Sequence, residues 1–81
     1  MINKKLLAEI CEVAGAPGHE QRVREIVIQQ VKPFVDEIRT DNMGNVLAIK
    51  KGKERKKVMI AAHMDEIGFI VTHIDDLGFI Y

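Results

Sequence analysis

A run of apolar residues in the second half of the chain, Val58-Met-Ile-Ala-Ala62, constrains the fold more than any other feature. The run has none of the polar alternation that marks a strand with one solvated face, so it predicts a strand covered on both faces. Such strands lie in sheets that are sandwiched between helices, which predicts an α/β fold. We expect this strand to be the most buried element of the chain.

Apolar residues at helical spacing predict two helices ahead of that strand. The first covers about residues 3–14, and the second begins near His19 or Glu20. Gly15-Ala-Pro-Gly18 interrupts the helical pattern between them, and Pro33 ends the second helix because it restricts the residue before it. The two apolar stripes are Leu6, Leu7, Ile10, Val13 and Ala14, then Val23, Ile26, Val27, Val31 and Phe34.

Beyond Pro33 the period of the apolar residues changes to that of strands. Val35–Thr40 and Val46–Lys50 are predicted strands, and the turn residues between them, 41–45, predict a hairpin. Residues 67–74 and 79–81 are strand-like as well, with a turn at 75–78. The fold predicted from this pattern is two N-terminal helices followed by a mixed sheet. The sequence stops inside an apolar strand, which we interpret as an interruption within a longer protein.

The overall composition excludes several classes of protein. Twelve Lys and Arg balance twelve Asp and Glu, which argues against a strongly basic nucleic-acid binder. No apolar run approaches the roughly 18 residues of a membrane span, and no export signal is visible. The single cysteine, Cys11, cannot form an internal disulfide, so we expect a reducing, cytoplasmic location.

Charge is concentrated in one segment, residues 50–57, which holds six basic side chains and one acidic side chain. A nucleic-acid patch is one interpretation of such a run. The run lacks interleaved aromatic residues for base stacking, which favours a solvated hairpin tip that keeps a sheet edge soluble.

Residues 58–81 contain carboxylates and imidazoles but no Lys or Arg. Solvated turn residues explain this composition, and the alternative is a metal cation that supplies the missing positive charge. His63-Met-Asp65 follows directly after the predicted buried strand, where ligands usually bind in open α/β sheets. Neutral imidazole binds zinc and similar ions, and a ligating histidine needs its second nitrogen held by an acceptor such as Asp65. A hydrogen-bonded histidine at a strand end, without a metal, remains the alternative.

The chain resembles a known enzyme family over essentially its whole length. Ala62-His63-Met64-Asp65-Glu66-Ile67-Gly68-Phe69 is similar to the signature of the dinuclear metallo-aminopeptidases, which include glutamyl aminopeptidase and the tetrahedral aminopeptidases; some relatives carry a glucanase label. The other matching residues are Gly18-His19-Glu20, Val23-Arg24-Glu25-Ile26, Asp36, Ile38, Asp41, Gly44-Asn45 and Asp76-Leu77-Gly78-Phe79.

The resemblance implies a metal-dependent aminopeptidase that hydrolyses N-terminal residues from peptides. It implies that residues 1–66 begin a zinc-peptidase-like catalytic domain, and that residues 67–81 cross into an inserted β-rich domain used in homo-oligomer contacts. His63 matches a ligand of one of two divalent metal ions, zinc or cobalt. Asp65 matches the carboxylate that orients this histidine.

The family's remaining metal ligands and its general base would all lie beyond Tyr81. We therefore expect residues 1–81 to be an N-terminal fragment that is inactive alone. A free-standing, non-catalytic binding or assembly module is the alternative, and a reading frame that continues beyond Tyr81 would favour the fragment. Glu66 as a base, and His73 or Asp75 as metal ligands, are weaker candidates.

Overall fold

The computed structural model describes residues 2–81. Helix α1 spans Lys4–Glu12 and starts directly after Asn3, whose side-chain oxygen accepts a hydrogen bond from the amide of Leu6 at 3.1 Å. This cap satisfies one of the amides that a helix leaves unpaired at its start. The predicted first helix is confirmed, and it ends before residue 14 because Val13 already has an extended backbone.

Helix α2 spans Gln21–Val31 and follows the predicted break at residues 15–18. The chain continues from α2 as one turn of 3-10 helix, Lys32–Phe34, with Pro33 in it. Proline has no amide hydrogen to donate to an α-helix, so the α-helical ladder stops there, as predicted.

Strands β1 (Glu37–Thr40) and β2 (Val46–Ile49) form the predicted hairpin, antiparallel and in the register Thr40 opposite Val46. In the connecting turn, Gly44 takes a positive φ of 85°, which glycine adopts without steric cost. In this common type of hairpin loop, a β-turn is followed by a residue in the left-handed conformation, here Gly44. Two helices and this antiparallel pair give an α/β chain, whereas the mixed sheet predicted from the sequence is not formed within residues 2–81.

The prediction that Val58–Ala62 is the most buried strand is wrong for this chain. The segment forms no strand, and Val58 and Ile60 are 90% and 93% exposed. A strand becomes buried only when neighbouring strands and covering helices enclose it, and the hairpin β1–β2 pairs with itself alone. Val23 on α2, 3% exposed, is the only buried apolar side chain of the described residues.

The strands predicted at 67–74 and 79–81 are reduced to one bridge, between Ile74 and Ile80. The predicted turn between them is present: Gly78 has a φ of 85°, and its amide donates to the carbonyl of Asp75 at 3.0 Å. No helix within residues 2–81 has the length and apolar character required to cross a membrane.

Candidate metal-binding site

The imidazole of His63 is held by Asp65. Its Nδ1 lies 3.0 Å from a carboxylate oxygen of Asp65 and 3.0 Å from the backbone oxygen of the same residue. Because both neighbours are acceptors, Nδ1 carries the hydrogen and donates it. That tautomer leaves the Nε2 lone pair available, and the described residues offer Nε2 no hydrogen-bond partner. The His63 side chain is 85% exposed, so Nε2 is accessible to a ligand.

The backbone around this pair is attached to the loop between α1 and α2. The amide of Glu66 donates to the carbonyl oxygen of Gly15 at 2.9 Å. Two residues further, Gly68 lies so near the loop that a Cβ added to it would be 3.2 Å from the Cβ of Ala16. The motif is therefore fixed on its C-terminal side, while the preceding residues 58–62 are exposed.

Two concavities meet at the histidine–aspartate pair. The first is largely apolar and lies between residues 63–66 and the helices, where Ile10 and Cys11 of α1 and Val23 and Val27 of α2 line it. Cys11 is an exposed free thiol at this concavity.

The second concavity lies on the other side of the pair, between residues 62–65, Glu20 and the hairpin turn at 43–45. The turn is attached to α2, since Nε of Arg24 donates to the carbonyl oxygen of Gly44 at 2.9 Å. At the start of α2, a carboxylate oxygen of Glu20 accepts a hydrogen bond from the amide of Gly18 at 2.7 Å.

The weaker candidate residues lie in other contexts. Glu66 borders the first concavity. His73 lies beside the ring of Tyr81, with ring centroids 5.9 Å apart. Asp75 caps the C-terminal turn by accepting the amides of Leu77 and Phe79 at 3.0 Å and 2.9 Å.

Residues 2–81 contain no group of three or more His, Cys, Asp or Glu that could together hold a metal ion. The donors present thus fit one imidazole ligand with its orienting carboxylate, and they do not complete a metal site.

The role of the Gly15 loop could not be predicted from the sequence. Gly15-Ala-Pro-Gly18 was interpreted only as a helix break. Glycine and proline in such a segment indicate a turn, but they do not indicate what packs against it. The contact of Glu66 with Gly15 joins residues 51 positions apart in the sequence. Nothing in the local pattern of either segment signals that contact.

A family model and several curated proteins match this chain. The model of the M42 glutamyl aminopeptidase family matches residues 44–81. A protein of Acetivibrio thermocellus, provisionally named an aminopeptidase, is 52% identical over 67 residues, which are 83% of this chain and 20% of the relative.

Two further relatives give similar matches. The provisionally named aminopeptidase FrvX of Escherichia coli strain K12 is 46% identical over 71 residues, 88% of this chain and 20% of the relative. Lysyl aminopeptidase of Pyrococcus furiosus is 42% identical over 72 residues, again 88% of this chain and 20% of the relative.

The chain thus spans about one fifth of the length of these curated relatives. The segment matched by the family model includes His63 and Asp65, and the match to FrvX covers 88% of this chain. The resemblance drawn from the sequence is confirmed: the chain is similar to the M42 glutamyl aminopeptidase family.

Proposed function

We propose that this chain contributes to a metal-dependent aminopeptidase, a hydrolase that removes N-terminal residues from peptides, and that His63 is one of its metal ligands. The observation that carries the proposal is the contact between Nδ1 of His63 and Asp65, which leaves the opposite nitrogen free and exposed. The names of the relatives support the reaction class.

The chemistry of the donors fits zinc or cobalt as the metal. Neutral imidazole is a good ligand for both ions, and an imidazole whose other nitrogen donates to a carboxylate is oriented and more basic. Two divalent ions at a complete site would polarise the scissile carbonyl and bind a hydroxide. Within that site, His63 would hold one ion through Nε2, and Asp65 would keep the ring in the Nδ1–H tautomer.

We further propose that residues 1–81 alone lack aminopeptidase activity. Catalytic zinc sites normally use three protein ligands, and one imidazole leaves a divalent ion mostly hydrated. On this proposal residues 1–66 begin the zinc-peptidase-like catalytic domain, and residues 67–81 lead into a β-rich domain that makes homo-oligomer contacts. The exposed apolar residues Ile67, Phe69 and Val71 support such contacts. A cytoplasmic location remains part of the proposal.

Two substitutions in the whole protein test the site. His63→Ala removes the ligand and should strongly weaken one metal site, with a corresponding loss of peptide hydrolysis. Asp65→Asn should keep a bound metal but lower affinity or activity by roughly 10–100-fold, as changes in residues that orient a ligand do. Metal content and peptide hydrolysis are measured on both variants.

His73→Ala is the matched control, because it removes another imidazole of the chain that lies beside Tyr81 and outside both concavities. This control should retain metal content and activity. Full activity and a full metal complement in His63→Ala would contradict the proposed function.

A further inference from the structure

We propose that Gly15 is a positioning residue for the His63–Asp65 pair, acting through the backbone of residues 64–66. Its carbonyl oxygen accepts the amide of Glu66 at 2.9 Å, directly after Asp65. A Cβ built on Gly15 would lie 3.7 Å from the carbonyl oxygen of Met64, directly before Asp65. Gly15 is therefore hydrogen-bonded to the motif after the orienting aspartate, and any side chain added to it would meet the motif before that aspartate.

Only glycine fits at this position. A Cβ added to Gly15 would be 2.6 Å from Cγ2 of Val23 and 3.7 Å from the carbonyl oxygen of Met64. The first distance is shorter than any ordinary contact, so either Val23 or the loop must move. Val23 is buried on α2 and, being β-branched in a helix, has one strongly preferred rotamer. The loop is therefore the part that moves.

Movement of the loop reaches the imidazole through Asp65. Nδ1 of His63 contacts both the backbone oxygen and a carboxylate oxygen of Asp65. A shift of the backbone at residues 64–66 changes both acceptors together, and with them the direction of Nε2. Within residues 2–81 the preceding segment, 58–62, is exposed and makes no hydrogen bond that would hold the motif from its other side. The expected effect on metal binding rests on the proposed function, whereas the effect on the backbone does not.

The experiment uses the metal-free whole protein and three variants: Gly15→Ala, Val23→Ala, and the double variant Gly15→Ala/Val23→Ala. Val23→Ala removes the methyl group that the new Cβ would meet. Hydrogen–deuterium exchange over residues 64–68, read by mass spectrometry, reports the Glu66–Gly15 hydrogen bond. The zinc dissociation constant, measured by competition with a chelator, reports whether Nε2 of His63 still points in the direction that binds the metal.

Gly18→Ala is the matched control in the same loop. Gly18 has a φ of 80°, so alanine strains the backbone there, but a Cβ at this position meets no atom within 4 Å. The control lowers stability without touching the motif. It should retain slow exchange at residues 64–68 and wild-type zinc affinity.

We expect Gly15→Ala to exchange faster at residues 64–68 and to bind zinc about tenfold more weakly, the low end of the range for groups that orient a ligand. The double variant should have the same exchange rate at residues 64–68 and the same zinc affinity as Val23→Ala. This comparison is available even when Gly15→Ala alone does not fold. Unchanged exchange in Gly15→Ala, or a double variant that is not rescued, would overturn the proposal. If His63→Ala binds zinc like the wild type, the proposed function fails, and the exchange data still decide the role of Gly15.

Discussion

Asp41 organises the β1–β2 turn through its carboxylate. One oxygen accepts the amides of Met43 and Asn45, both at 2.9 Å, and the other accepts the side-chain amide of Asn45 at 2.9 Å. The side-chain hydrogen bond from Asn45, followed by the backbone hydrogen bonds, lowers the pKa of Asp41 below its ordinary value of 3.8. The charged carboxylate is thus the form that the turn stabilises.

The first prediction concerns the titration of this carboxyl group. Since its pKa is lower when folded, its contribution to turn stability is complete above the ordinary value and is lost as the pH falls through the folded pKa. Asn45→Ala should raise the pKa of Asp41 towards 3.8, followed by NMR of the Asp41 carboxyl carbon. Asn42→Ala is the control, because within the described residues the Asn42 side chain makes no hydrogen bond to Asp41. A pKa that is the same in Asn45→Ala and in the wild type would contradict the prediction.

Two turns of the chain have the same hydrogen bond and the same glycine conformation. In Asp41-Asn-Met-Gly44 and Asp75-Asp-Leu-Gly78, the amide of the glycine donates to the carbonyl of the aspartate at 3.0 Å. Both glycines have a φ of 85°. The turns differ in their surroundings, because Gly44 adjoins the guanidinium of Arg24, whereas a Cβ at Gly78 would meet nothing within 4 Å.

The second prediction uses these turns as a matched pair. Gly78→Ala should cost about 1–2 kcal/mol, because alanine disfavours the left-handed conformation. Gly44→Ala should cost roughly 1 kcal/mol more, since its Cβ would displace Arg24 from the carbonyl of Gly44. Urea denaturation of the whole protein measures both changes in the free energy of unfolding. In an Arg24→Ala background the difference between the two glycines should disappear, and a difference that persists would show that the contact with Arg24 is not its cause.

Local signals explain which elements could be predicted from the sequence. The apolar stripes, Pro33 and the turn residues around Gly44 act within a few positions, and both helices and the hairpin lie where they indicate. The contact between His63 and Asp65 was predicted for the same reason, as the two residues are two positions apart. The burial of Val58–Ala62 depends on partners distant in sequence, and the fit of Gly15 against Val23 depends on tertiary packing. Neither of these has a local signal.

The 81-residue chain is extended for its length. Its radius of gyration is 17.1 Å, whereas a compact domain of this size has about 12 Å. Large apolar side chains remain exposed along the second half of the chain, including Met59, Ile60 and Phe69. Unpaired apolar segments of this kind recruit other strands. Residues 2–81 therefore hold no group of donors that could complete a metal site, and much of their apolar surface has no covering layer.

The third prediction follows for residues 1–81 as an isolated chain. Peptide hydrolysis with added zinc or cobalt should be absent, and calorimetric titration should detect at most weak metal binding, because a single imidazole cannot replace three protein ligands. Sedimentation velocity should detect self-association. Ile60→Lys should reduce it, since a charge interrupts an aggregation-prone apolar segment, whereas Lys53→Ala in the basic loop should not. A monomeric chain that melts cooperatively would contradict the association. Turnover that survives purification and is lost in His63→Ala would demonstrate that residues 1–81 contain a sufficient site.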